Sequence, residues 1–120
     1  MQIGTRRIYD PPGERDGTRI LVDRIWPRGI SKAQAQLQGW HREVAPSTML
    51  RQWFGHDPER WDDFRKRYFV ELDTRPDVVA PLLTAARHAR LTLVYAARDE
   101  AHNNAVALRE YLLRAAGRKP

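Results

Sequence analysis

The sequence predicts an α/β fold: one small domain over residues 1–120, with a mostly parallel sheet of about three or more strands flanked by helices. Three observations lead there. Leu91-Thr92-Leu93-Val94-Tyr95-Ala96-Ala97 is largely apolar at both parities, which marks a strand covered on both faces, as in parallel sheets. A second apolar run, Ile20-Leu21-Val22, is separated from it by helical patterns, and another helical pattern follows. That alternation is a crossover pattern, so the two strands should lie parallel in one sheet. A chain of 120 residues is also the length of one domain.

The elements follow in order. A first strand covers Thr5 to Tyr9, starting as early as Gln2, and ends at the turn signal Asp10-Pro11-Pro12-Gly13. The second strand runs from Thr18 to about Ile25, where Trp26-Pro27-Arg28-Gly29 stops it. The Asp10–Gly17 connection is too short for a helical crossover, so the first strand is expected antiparallel to the second, at the sheet edge. Ser31-Lys32-Ala33-Gln34 has the form of a capping box. The helix it opens is expected to carry Ala33, Leu37, Trp40 and Val44 on one face, weakened by Gly39 and ended by Pro46. Ser47 caps a short helix that Gly55 closes.

Asp57-Pro58 opens a helix that buries Trp61, Phe64, Tyr68 and Leu72. A helix over about Asp77 to Ala89 carries Val78, Val79, Leu82, Leu83 and Ala86, with Pro81 arguing for a start later than 77. The strand over 91–97 and a last helix over about Ala101 to Ala115 complete the chain.

Cysteine is absent, which excludes disulfides, thiolate metal sites and a cysteine nucleophile. No apolar run approaches the ~18 residues of a membrane span. The first residues, Met1 to Arg7, hold no apolar signal core, so a cytoplasmic protein without a membrane partner is expected. Lys plus Arg is 21 against 15 for Asp plus Glu, a formal charge of +6. That surplus raises nucleic acid as a partner. But both signs alternate within the 57–67 segment, the pattern of a solvated helix face. The one nearly pure basic tail, Arg114, Arg118 and Lys119, is short. Lysine stands only at positions 32, 66 and 119, so nearly all the basic residues are arginine, whose fork suits phosphate and carboxylate.

Open α/β sheets bind ligands beyond the carboxyl ends of their strands. Here those ends are the 23–29 and 98–104 segments, which bring Arg24, Arg28 and Arg98 to one mouth. The N-terminus of the last helix and Asn103 join them, in a mouth suited to a small phosphate or carboxylate ligand. Strand alternation separates Asp23 from Arg24. Asp23 is expected to clamp an arginine from the second loop while Arg24 faces ligand. The bland alternative is that Asp23, Arg24, Arg98 and Asp99 form a buried ion-pair network that only orients loops. His102, three residues after Asp99, is the first acid–base candidate, and the alternative makes Asp99 a mere helix cap. His56, a turn residue on a loop placed to fold over the site, is the second acid–base candidate. Trp26 follows a strand end directly and is expected to wall the mouth.

The four histidines show no metal-ligand spacing, so no metal is expected. No cofactor is expected either, since no glycine-rich phosphate loop or Gly-x-Ser-x-Gly elbow occurs.

Five segments together resemble a known family: Arg7-Ile8-Tyr9-Asp10, Leu21-Val22-Asp23-Arg24-Ile25-Trp26-Pro27-Arg28-Gly29, Ala45-Pro46-Ser47, Trp53-Phe54-Gly55-His56-Asp57-Pro58 and Tyr95-Ala96-Ala97-Arg98-Asp99-Glu100-Ala101-His102-Asn103. They are similar to the YeaO-like branch of the domain-of-unknown-function family 488, over nearly the whole chain. The resemblance implies an α/β fold and no assigned activity. Other branches carry a Cys-His pair just after the motif histidine, where this chain has Asn103-Asn104. Thiol or metal chemistry at that place therefore does not transfer. Three readings stand at this stage. One is a protein, enzymatic or not, with a site for a phosphorylated or carboxylated small molecule. The others are a nucleic-acid-binding module and a non-catalytic interaction protein.

Overall fold

β4 (Leu91–Tyr95) runs through the middle of a four-stranded sheet, and all five of its residues are buried. The structure, a computed structural model, describes residues 1–117. β1 (Ile3–Arg7) pairs with one side of β4 and β2 (Thr18–Leu21) with the other. β3 (Gly39–Trp40) lies outside β2, and every pairing is parallel. The order β1-β4-β2-β3 confirms the α/β class. It also overturns one expectation: β1 is neither antiparallel nor a neighbour of β2, because β4 separates them. The 8–17 segment is thus a short crossover without a helix.

Strand alternation divides the interior. Leu91, Leu93 and Tyr95 face the same core as Ile3, Ile20 and Val22. Val94 faces the opposite side with Ile8 and Leu21. On the first side lie α2 (Thr48–Phe54), α3 (Trp61–Asp73), α4 (Pro76–His88) and α5 (Asn104–Gly117), which contribute Phe54, Phe64, Tyr68, Leu82 and Leu108 among others. Each fully buried side chain of this size stabilises the fold by about 1.5–3 kcal/mol. The second side is thinner. It is covered by the one-turn α1 (Lys32–Ala35), by loop residues including Trp26 and Leu37, and by Trp40 of β3.

The caps behave as short-range chemistry demands. Ser31 and Gln34 form the reciprocal capping box. Ser47 Oγ accepts the Leu50 N–H and donates to Glu71 at 2.6 Å. Gly55 closes α2 in the left-handed region. Asp57 and Pro58 start a 3-10 turn that runs into α3. On α3 the buried residues are Phe64, Tyr68 and Leu72, while Trp61 is only half-buried.

Several boundaries differ from expectation: β1 ends at Arg7 rather than Tyr9, and β4 at Tyr95 rather than Ala97. β2 stops at Leu21 rather than Ile25. The helix after Ser31 does not extend to Val44: Gln36 turns left-handed, Gly39–Trp40 joins the sheet, and Arg42–Val44 is a 3-10 turn. The cause is Arg19, whose buried guanidinium donates to the carbonyls of Ala35 (2.9 Å) and Gln36 (3.3 Å) and so ends the helix. Gln38 then takes both backbone groups of Arg19, turning the chain into β3. α4 begins at Pro76, and Pro81 sits within it on the exposed face. α5 begins at Asn104, not 101, because Asn103 Oδ1 accepts the Val106 N–H at 3.0 Å and caps the helix.

The Asp16 carboxylate organises the crossover. It accepts from Arg19 Nη1 at 2.6 Å, from Arg6 Nε at 3.0 Å and from the Gly13 N–H at 2.9 Å. Its own backbone carbonyl accepts from the buried Thr92 hydroxyl of β4 at 2.7 Å. At the outer edge of the sheet, Arg109 Nε of α5 donates to the Ile3 carbonyl at 2.6 Å. Of the basic tail, Arg118 and Lys119 lie outside the described residues.

Candidate functional site

A cleft of about 660 Å³ opens at the carboxyl ends of β2 and β4. Every residue expected at the site lines it except His102: Asp23, Arg24, Trp26, Arg28, His56, Arg98, Asp99 and Asn103. Each reaches it for a local reason. β2 ends at Leu21 and releases 23–28 over the sheet edge, and β4 ends at Tyr95 and releases 96–99 beside it.

Asp23 forms no clamp on an arginine, contrary to expectation. Its Oδ2 accepts the Ala96 N–H at 3.0 Å, and its Oδ1 accepts from Asn104 Nδ2 at 3.1 Å. The same amide also donates to the Val22 carbonyl, so Asn104 ties the ends of β2 and α5 together. No ion pair joins Asp23, Arg24, Arg98 and Asp99 among the described residues, so the buried network does not form either.

Burial pushes the Asp23 carboxyl above its ordinary value. The Asn104 and Ala96 hydrogen bonds and the charges of Arg51 and His56 oppose this and do not cancel it. The folded state therefore holds this proton more tightly than the unfolded chain. The resulting stability is complete below the unfolded value of 3.8 and is lost as pH rises through the folded one. Asn carries no charge at any pH. The melting temperature of Asp23→Asn relative to wild type should therefore rise with pH above 3.8. A difference flat from pH 4 to 8 would contradict the raised value.

Arg24 is underserved. Its Nη2 makes one long bond to the Ala45 carbonyl at 3.4 Å, and its buried Nε has no partner. Arg28 and Arg98 are exposed at the rim. Trp26 is pinned: its Nε1 donates to the Ile30 carbonyl at 2.7 Å, and its ring meets Trp40 edge-on at 5.4 Å. His56 holds a left-handed backbone (φ 58°) on the loop after α2, which sets it on the cleft wall.

Asp99 and His102 do pair, with Nδ1 and Oδ2 2.9 Å apart. That hydrogen bond is the first cause of a lowered Asp99 value, with the Ala101 and His102 N–H groups adding to it. Only Asp99 of the pair lines the cleft, however, and His102 packs edge-on against Trp61 at 5.3 Å. Asp99 is a turn residue here, and the helix cap belongs to Asn103. Asn103 lines the wall, but its amide also donates to the Asp99 carbonyl, so both polar atoms are committed to structure.

Several residues of the cleft escaped sequence reasoning, Tyr9, Ile25, Arg51 and Asn104 among them. Arg51 lines it from α2 and bears electrostatically on Asp23. Asn104 holds Asp23 in place. Arg51 lies three residues before Phe54 on α2, a helical spacing that puts the two on one face. Among the described residues no ion pair engages Arg24, Arg28, Arg51 or Arg98. No group of three or more metal-ligating side chains is found among them either, and no helix is long and apolar enough to cross a membrane.

A family model described as the inactive DUF488-N3 subclade matches residues 2–120. The chain is 40% identical over 112 residues to the uncharacterized protein YeaO of Escherichia coli K12, covering 93% of this chain and 97% of that protein. It is 39% identical over 111 residues to the uncharacterized proteins Mb3100c of Mycobacterium bovis and Rv3073c of Mycobacterium tuberculosis, covering 92% of this chain and 93% of each. No solved structure matches it. A model match over almost the full length, joined to this identity with YeaO, places the chain in the YeaO-like DUF488 family.

Proposed function

We propose that this protein binds a small phosphate- or carboxylate-bearing ligand in the strand-end cleft, as a cytoplasmic binding protein rather than a catalyst. One observation carries the reading: four guanidiniums line the cleft without a carboxylate partner, and that of Arg24 is partly buried with an orphaned Nε. A buried donor left unmade costs about 1–3 kcal/mol, which an anion entering the cleft would offset. The family description, an inactive subclade, favours binding over turnover. So does the position of His102, which is not among the residues that line the cleft.

Several other arginines are engaged within the fold. Arg42 stacks on Trp40 at 4.0 Å, Arg67 on Trp53 at 4.1 Å, and Arg65 is held by Asp62 and Glu110.

The test is a thermal-shift series with phosphorylated and carboxylated metabolites on wild type and on the Arg24→Ala, Arg98→Ala double variant. A ligand at a hundred times its Kd stabilises by about 2.7 kcal/mol. That shift should appear in wild type and vanish in the variant. Equal shifts in both proteins, or none in either, would sink the reading.

A further inference from the structure

We infer that the cleft takes an organic anion whose charged group is joined to a flat apolar body, and not a bare inorganic ion. This rests on the anion-binding reading above and narrows its ligand.

The first argument is size. The cleft measures about 660 Å³. A tetrahedral oxyanion fills only the space of a few waters, each about 30 Å³. Most of the cleft would then stay wet, with the guanidiniums still hydrated and little gained from placing them there. Sites of this volume ordinarily enclose an organic molecule.

The second argument is the chemistry of the wall. Tyr9 and Trp26 both line the cleft, and both have already committed their polar hydrogens. The Tyr9 hydroxyl donates to the Arg28 carbonyl at 2.9 Å, and Trp26 Nε1 donates to the Ile30 carbonyl at 2.7 Å. Beyond the acceptor oxygen of Tyr9, what these two rings offer a ligand is hydrocarbon surface, with Arg7 over the Tyr9 ring at 4.7 Å. Both are held by the same 28–30 turn, so the surface is fixed before a ligand arrives. Ile25 beside them is 60% exposed and adds aliphatic surface to the cleft lining. Pro27 and Pro46 extend this apolar surface.

The third argument is the contrast with the charged part of the lining. Arg51 and His56 both bear on Asp23, which places these three groups together at the strand ends. Arg24 lines the same cleft with its incomplete hydrogen bonding. Each oxygen of Asp23 accepts one hydrogen bond and keeps a second lone pair. A ligand that satisfies this lining carries an anionic group for the arginines and a planar apolar part for Tyr9, Trp26 and Ile25.

Two kinds of molecule share that chemistry, a mononucleotide and an aromatic carboxylate. Isothermal titration with adenosine monophosphate, indole-3-acetate, ribose 5-phosphate and inorganic phosphate separates them. At least one of the two planar anions should bind about tenfold or more tightly than ribose 5-phosphate and inorganic phosphate, and which one does so identifies the source. Ile25→Ser removes exposed apolar surface without touching an arginine. It should weaken the planar anion about fivefold or more and leave inorganic phosphate unchanged. Its melting temperature, compared with wild type, shows that the fold is intact.

If all four probes bind alike, or Ile25→Ser weakens all of them equally, this inference fails while the anion site stands. If none of the four binds, the anion-binding reading itself fails, and the inference with it.

Discussion

Replacing Asp16 by alanine should cost about 3–5 kcal/mol of folding stability, because it strands a buried arginine. The Arg19 side chain is only 5% exposed, and among the described residues Asp16 is its one carboxylate partner, at 2.6 Å. The substitution also frees Arg6 and leaves the Gly13 N–H without its acceptor. Urea unfolding followed by circular dichroism measures the loss against a total that is typically about 5–15 kcal/mol for a domain. Adding Arg19→Met to Asp16→Ala should recover part of it, since an uncharged side chain no longer has to be solvated inside the protein. A single variant within about 1 kcal/mol of wild type would show that the carboxylate does not fasten the crossover.

The same group has a pH signature opposite to that of Asp23. Burial alone would raise the Asp16 carboxyl, but the Gly13 N–H, Arg19 and Arg6 together hold it below its ordinary value. Its contribution is therefore present above the unfolded value of 3.8 and is lost as pH falls through the folded one.

Gly17→Ala should be the second severe change, at about 2–4 kcal/mol. Gly17 has φ +66°, where an L side chain is strained. An added Cβ would also lie 2.3 Å from the Arg90 carbonyl oxygen. That oxygen is backbone and cannot swing aside, since it accepts the Thr18 N–H at 2.8 Å where β2 starts. A fall of roughly 10 °C in melting temperature is expected from scanning calorimetry. An unchanged value would mean that the 8–17 crossover relaxes more freely than its contacts imply.

These two positions also show where sequence reasoning stopped. Caps and turns act within a few residues, so Ser47, Gly55 and Asp57-Pro58 were legible. β4 was legible because its burial on both faces is written into its composition. The mouth of the cleft followed from a rule about strand ends, and it needed only that β2 and β4 be parallel. What failed was anything decided by a distant side chain. Periodicity alone extends α1 past Trp40, and it cannot register that Arg19, sixteen residues before Ala35, takes the helix's last carbonyls.

The short 8–17 segment likewise looks like a hairpin turn until Asp16 is seen to pin it across the sheet to Arg6, Arg19 and Thr92. At the site, the sequence places His102 three residues from Asp99 but says nothing of direction. The imidazole packs against Trp61 and does not line the cleft. Asp23 found no arginine because the Ala96 N–H and Asn104 reach it at hydrogen-bonding distance.

The Arg109 contact with Ile3 bears on how the chain behaves in a crowded solution. A parallel sheet has two open rims, and an open rim is a template on which another chain can add a strand. Here one rim is β3, only two residues long, too little for a partner to zip onto. The other is β1, where a guanidinium already occupies a main-chain acceptor and Arg6 and Arg7 follow in the strand. Part of the arginine surplus thus serves as a guard against strand-to-strand aggregation, a task independent of any ligand.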